Sequence, residues 1–354
     1  MRLKRLRKAD VPAWLQAMAQ TSTVFAPTAR GPDEVVLAPL DPRRLTLDFG
    51  RLAESPKRIL LPQTEPLLGW EGDRAEPLTD ATPRILFGLR ACDAAAIAIL
   101  DAFFEREYPD PNYLARRRHT RLIVLACRKS QESCFCTSTG TGPVLSEGFD
   151  LQMVEDGEAY LVQVGSEAGE AMLAAAGDLV QDAPAGAESR WQAAADAAAE
   201  GQPALALPAA ADAIRQGTEP EGFWESVADR CLLCGGCAYV CPTCTCFTVY
   251  DRPEPAAVGE ASTGRRVRTW DACVLEGFTR EAGGHNPLPD RAARCRRRYE
   301  HKLTGSEHPA YPFRCVGCGR CTEVCLGRLG MTRILRDLAG EEEKAEHGRT
   351  RTSR

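Results

Sequence analysis

The chain has 354 residues, 44% of them hydrophobic and 6% aromatic, and a formal net charge of −5. That length predicts two or three domains with largely aliphatic cores, and the acidic balance argues against general nucleic-acid binding. No run of 18 apolar residues occurs, so no membrane span is expected.

Residues 1–10 are basic but no apolar stretch follows them, so no secretory leader is expected. Trp14–Met18 predicts a short amphipathic helix. Val24–Pro27, Glu34–Leu37 and Leu45–Asp48 predict short strands separated by Pro and Gly turns, and Arg58–Leu61 is a further apolar stretch. Pro83–Gly88 and Arg121–Ala126 predict buried strands on either side of an Ala-rich helix from Cys92 to Phe104. That strand–helix–strand order implies an α/β or α+β core. Tyr160–Val164 predicts one more strand. Residues 168–214 are Ala-rich and broken by Pro184, Pro203 and Pro208, which predicts helices leading to a linker, with Trp191, Leu205 and Leu207 giving it some packing. Phe223–Arg230 predicts the helix that enters the next domain. Trp270–Gly277 and Asp290–His301 predict helices, and Glu341–Arg354 a charged, frayed tail.

The expected fold is therefore α+β. An N-terminal α/β-type domain covers 1–167 and an Ala-rich helical linker covers 168–220. An α-helical ferredoxin-like domain carrying two [4Fe–4S] clusters covers 221–340, and a charged tail covers 341–354.

The two clusters are read from cysteine spacing. Cys231, Cys234, Cys237 and Cys241 form one C-x2-C-x2-C-x3-C run, and Cys315, Cys318, Cys321 and Cys325 form another. Iron in a cubane is tetrahedral and prefers soft thiolate sulfur. Three cysteines at i, i+3 and i+6 wrap a loop round one face of a cube. The fourth lies too far along the loop and, in two-cluster ferredoxins, ligates the other cluster. The expected sets are Cys231, Cys234, Cys237 with Cys325, and Cys315, Cys318, Cys321 with Cys241. Gly235, Gly236, Gly317 and Gly319 would let backbone amides approach the cluster sulfides. Zinc sites pair C-x2-C with a distant second pair, a poorer match, although a structural zinc protein is the bland alternative. Pro242 follows the first run as expected, and Leu326 stands at the equivalent place in the second. The chain holds sixteen cysteines, and with no leader they point to metal ligands in a reducing, cytoplasmic compartment. The 73 residues between the runs (242–314) favour a helical module over the small hairpin type of ferredoxin.

Eight cysteines remain. Cys92 and Cys127 follow two predicted strands, which in a parallel sheet would emerge at one edge, and Cys134 and Cys136 lie in a polar loop just beyond. Together they could hold a third iron–sulfur cluster, or serve as small buried hydrophobes. Cys244, Cys246, Cys273 and Cys295 could line the cluster sites or hold a fourth cluster. Arg291, Arg294, Arg296, Arg297, Arg298 and Lys302 read as a solvated helix face that could also dock an acidic partner or offset cluster charge. His285, His301 and His308 read as surface or capping residues. Gly140-Thr-Gly142-Pro143 lacks the G-x-G-x-x-G fingerprint and reads as a turn. Without a nucleotide-binding motif, the chain is not expected to bind NAD(P)H itself.

Longer motifs carry a resemblance. These are Pro56-Lys-Arg-Ile-Leu-Leu-Pro62-Gln-Thr-Glu65, Gly88-Leu-Arg-Ala-Cys92-Asp93, Asp110-Pro-Asn-Tyr-Leu-Ala-Arg-Arg117 and Cys134-Phe-Cys136-Thr-Ser-Thr-Gly140. With them go Cys241-Pro-Thr-Cys244-Thr-Cys246, Trp270-Asp-Ala-Cys273 and Arg296-Arg-Arg-Tyr-Glu-His-Lys302. From about residue 20 to 335 the chain resembles the iron–sulfur β subunit of cytosolic sulfhydrogenase-type nickel–iron hydrogenases, and is equally similar to the A subunit of anaerobic sulfite reductase. The resemblance implies a relay between a flavin subunit that handles NAD(P)H and a catalytic hydrogenase or sulfite reductase subunit. The competing expectation is a reductase with its own substrate site at the N-terminal cysteines.

Overall fold

A computed structural model describes residues 2–31, 34–255 and 261–340. The tail expected at 341–354 lies outside the described residues.

Twelve strands are described: β1 (Leu3–Arg7), β2 (Thr23–Ala29), β3 (Val35–Pro39), β4 (Thr64–Glu71), β5 (Arg74–Pro77), β6 (Arg84–Leu89), β7 (Thr120–Leu125), β8 (Leu151–Asp156), β9 (Ala159–Val164), β10 (Val180–Asp182), β11 (Phe247–Pro253) and β12 (Thr263–Trp270). Eight of them form one sheet in the order β10-β1-β9-β8-β7-β6-β2-β3. Its centre is parallel, β2 to β6 to β7 to β8, and its flanks are antiparallel.

The alternation of side chains explains why this sheet forms where it does. On β7, Leu122 and Val124 pack on one face, against the Ala91–Glu105 helix. Ile123 and Leu125 pack on the other, with Trp14 and Leu15. β6 begins with the same alternation, Ile85 and Phe87 against Leu86. It breaks at Gly88, where the register with β7 shifts between Phe87 and Leu89. Gly88 has φ +81°, and a Cβ there would collide with the Pro27 ring. This bulge turns the chain into Arg90 and the helix that carries Cys92. Arg90 is buried and pins the strand ends together: its guanidinium donates to Gly50 O at 2.9 Å, Leu125 O at 2.8 Å, Ala126 O at 3.0 Å and to Phe49 O.

Most expected elements lie within a residue or two of their observed bounds, and the Phe223–Arg230 helix matches them. Leu45–Asp48 is not a strand: Leu45 makes one bridge to Thr28, and Leu45 and Leu47 pack on the core from a loop. Trp270–Gly277 is not a helix. Trp270 closes β12, and only Glu276–Thr279 makes a single turn.

The long insertion therefore contains a β-hairpin as well as the Arg291–Leu303 helix, and the region is not purely α-helical. The hairpin joins a second sheet, β11-β12-β4-β5, in which β12 pairs with β4 over Thr263 to Thr269. That sheet bridges the N-terminal region and the cysteine-run region. A buried ionic hub fastens it. Glu65 on β4 accepts from Arg268 on β12 at 2.9 Å and from Arg116, and Arg268 also pairs with Asp110. Residues 168–220 are not a purely helical linker: besides the helices Glu167–Ala174, Ala187–Ala199 and Leu207–Gln216, with Trp191, Leu205 and Leu207 buried, they contribute β10 to the large sheet, where it pairs with β1.

Candidate iron–sulfur centres

Cys231, Cys234 and Cys237 line one cavity together with Cys325, the last cysteine of the other run. The Gly319–Gly330 segment brings Cys325 there, and Gly327 lies against Arg230 O closely enough to leave no room for a side chain. Backbone amides already address two of these sulfurs, Leu233 N to Cys231 Sγ at 3.5 Å and Leu329 N to Cys325 Sγ at 3.2 Å. Reciprocally, Cys241 lies within electrostatic reach of the Cys315, Cys318 and Cys321 thiols.

The four N-terminal cysteines also converge. Cys92, Cys127, Cys134 and Cys136 line another cavity with Arg51, Arg90 and Gly317. Cys92 and Cys127 emerge at the carboxyl ends of the parallel neighbours β6 and β7, and the loop to β8 returns Cys134 and Cys136 to the same edge. Among the described residues no three His, Cys, Asp or Glu side chains converge on a single-ion site. The thiols of the first and third sets stand around cavities instead.

The second and third sets are neighbours. Cys92 and Cys318 act on each other electrostatically. Phe135 N donates to Gly317 O at 2.9 Å and Thr141 Oγ1 to Val316 O at 2.8 Å. Gly317 and Gly319, both at positive φ, are required by this approach: a Cβ on Gly317 would lie 2.5 Å from Cys136 N, and one on Gly319 would strike Ser133. Arg320, between Cys318 and Cys321, makes a bidentate pair with Asp93, next to Cys92, at 2.7 and 3.0 Å. Arg51 donates to Cys318 O and pairs with Glu323.

Burial sets the protonation of most of these thiols. It pushes Cys136 up to about 12 and Cys321 up to about 11. Cys92, Cys134, Cys315 and Cys318 are also raised, chiefly by burial. Such groups stay neutral until a metal supplies positive charge. Two ligand candidates differ. A hydrogen bond from Cys295 lowers Cys231 to about 6, and one from Cys244 lowers Cys241. Cys246 is lowered to about 6 by its hydrogen bond with Cys273. The last four cysteines thus stand as partners of other thiols: Cys295 beside Cys231, Cys244 beside Cys241, and Cys246 with Cys273.

The basic helix is not simply solvated. Arg294, Arg298 and Lys302 are buried. Lys302 Nζ donates to Thr243 Oγ1 at 3.0 Å; burial opposes its charge, yet the Cys241 and Cys244 thiols hold its pKa above the ordinary value. Arg296 and Arg297 behave as expected, pairing with Glu219 and Glu300, while Arg291 donates to Cys231 O at 2.6 Å. His285 pairs with Glu281 and His308 stacks on Tyr311. His301 is held neutral, its pKa lowered to about 3 by burial and by neighbouring cations, and its Nε2 accepts from Arg314 at 2.7 Å.

Sequence reasoning missed Lys57, Asp93, Arg320 and Arg51. Lys57 is buried over the Trp270 ring and donates to Cys244 O at 3.1 Å; burial lowers its pKa. The available signal was a charged residue inside an otherwise apolar motif, as in 56–62 and 88–93.

A family model described as the 4Fe-4S dicluster domain matches residues 230–329. Sulfhydrogenase 2 subunit beta of Pyrococcus furiosus is 29% identical over 336 residues, which cover 95% of this chain and 98% of that protein. The resemblance read from the motifs thus extends along nearly the whole chain, which carries a 4Fe-4S domain in its C-terminal part. Among the described residues no helix is long and apolar enough to cross a membrane.

Proposed function

We propose that this chain is an electron-transfer subunit holding two [4Fe–4S] clusters and a third iron–sulfur cluster. Cys231, Cys234, Cys237 and Cys325 would hold the first, Cys241, Cys315, Cys318 and Cys321 the second, and Cys92, Cys127, Cys134 and Cys136 the third. The observation that carries the reading is the shared cavity of the first run with Cys325, because a fourth thiolate from the other run is what a two-cluster ferredoxin requires. Bound in these sites, the clusters would accept and release single electrons.

The protein's own residues do the rest. Cys92, Cys136 and Cys318 are shielded from water, and Lys302 and Arg298 bring positive charge to sites that would otherwise concentrate negative charge. At the first set the environment opens: Cys234 is exposed, and Leu232 and Leu326 at the cavity mouth are 65% and 86% exposed. That apolar rim suits docking of an electron-exchange partner.

The relative is by name one subunit of a sulfhydrogenase. By analogy this chain works in a complex, between a flavin subunit that handles NAD(P)H and a catalytic hydrogenase or sulfite reductase subunit. Its free cysteines suit a reducing, cytoplasmic compartment. The test is turnover by the isolated, reconstituted chain with reduced methyl viologen. It should take up electrons yet neither evolve hydrogen nor reduce sulfite. Turnover without partners would overturn the relay in favour of a reductase.

A further inference from the structure

Among the described residues several buried arginines have a carboxylate partner, and Arg298 does not. Arg320 pairs with Asp93, Arg268 with Glu65 and Asp110, and Arg314 with Glu307. Arg298, 3% exposed on the Arg291–Leu303 helix, makes one long hydrogen bond, Nη2 to Cys237 O at 3.3 Å, and otherwise lies beside the Tyr299 ring, 5.9 Å from its centroid. Its Nε and Nη1 are buried with no partner. Two unpaired donors on a buried guanidinium are costly, and such groups call for an explanation.

Its neighbours supply one. The groups that act on it most strongly after burial are the thiols of Cys237, Cys244, Cys241 and Cys321, and it lines the cavity of the first set. Cys237 belongs to the first set, and Cys241 and Cys321 to the second. One helical turn on, Lys302 faces Cys241 and Cys244. The helix in the insertion thus delivers its cations between the two runs.

We propose that Arg298 is a positioning residue shared by both centres, its two free N–H donors reserved for sulfur of the clusters on either side. This rests on the iron–sulfur reading above. Donors and positive charge at a cluster favour its reduced, more negative state and raise its potential. One cation between two centres therefore raises both.

The test is an EPR-monitored redox titration of the holoprotein, with iron and sulfide assays, for wild type, Arg298→Met and Arg298→Lys. In Arg298→Met with full iron and sulfide, both midpoints should fall. At the wild-type midpoint the reduced-to-oxidised ratio should drop about tenfold, which is about 59 mV for a one-electron couple. Arg298→Lys, which keeps the charge but not the fork, should recover part of the shift. If Arg298→Met assembles incompletely, Arg298→Gln takes its place under the same criterion. Unchanged midpoints in a fully loaded neutral variant would overturn the tuning role, and movement of one centre alone would overturn the sharing. If wild type itself showed no cubane signals, the failure would lie with the iron–sulfur reading and not with Arg298.

Discussion

Asp93→Asn should be among the most damaging conservative changes in this chain. Asp93 is fully buried and Arg320 is 2% exposed. The two carboxylate oxygens take both terminal guanidinium nitrogens, at 2.7 and 3.0 Å, while Arg320 Nε goes to Leu52 O at 3.2 Å. Asparagine has nearly the same shape, but it removes the counter-charge and turns one acceptor into a donor facing a donor. Breaking a buried pair from one side costs about 3–5 kcal/mol. With an unfolding entropy of roughly 2.1 cal/mol/K per residue, a 354-residue chain should lose about 4–7 °C in melting temperature. Asp93 adjoins Cys92 and Arg320 lies between Cys318 and Cys321, so iron at the second and third sets should also become more labile to chelator. The assay is anaerobic thermal unfolding of the holoprotein, with timed iron release to a chelator. The double change Asp93→Leu with Arg320→Met should recover much of the loss, because an apolar pair of similar volume leaves no orphaned charge. A melting shift within about 1 °C, or a double variant no better than the single, would refute the reasoning.

Cys234→Ala should remove about four iron atoms, as loss of one cubane requires, and leave the remainder, as read by iron and sulfide assay. Cys127→Ser combined with Cys136→Ser should likewise remove about four while preserving the EPR signals of the two ferredoxin-type centres. Gly317→Ala forces a Cβ to 2.5 Å from Cys136 N at φ +60°; overpacking of this kind costs about 1–3 kcal/mol or more, and the melting temperature should fall accordingly.

The placement of several cysteines was legible in the sequence. Spacing anticipates that Cys325 returns to the first run, and two parallel strands in register bring Cys92 and Cys127 to one edge. Other features leave no such trace. β11 is almost wholly exposed, so its residues show no alternation, and its pairing with β12 depends on a partner far away in sequence. Trp270 reads as helical from its neighbours, yet its amide bonds to Gln63 O, which holds it in a strand. The burial of Arg298 and Lys302 was hidden for a similar reason. A run of arginines looks solvated until the sulfur-rich surroundings of that helix are known.

The most direct measurement is iron, acid-labile sulfide and zinc per chain after anaerobic purification, with EPR of the dithionite-reduced form. The account predicts about twelve iron and about twelve sulfide, as three cubanes require, with spin-coupled signals from neighbouring centres. About eight of each would remove the N-terminal site from the relay, and stoichiometric zinc without sulfide would contradict the electron-transfer reading altogether.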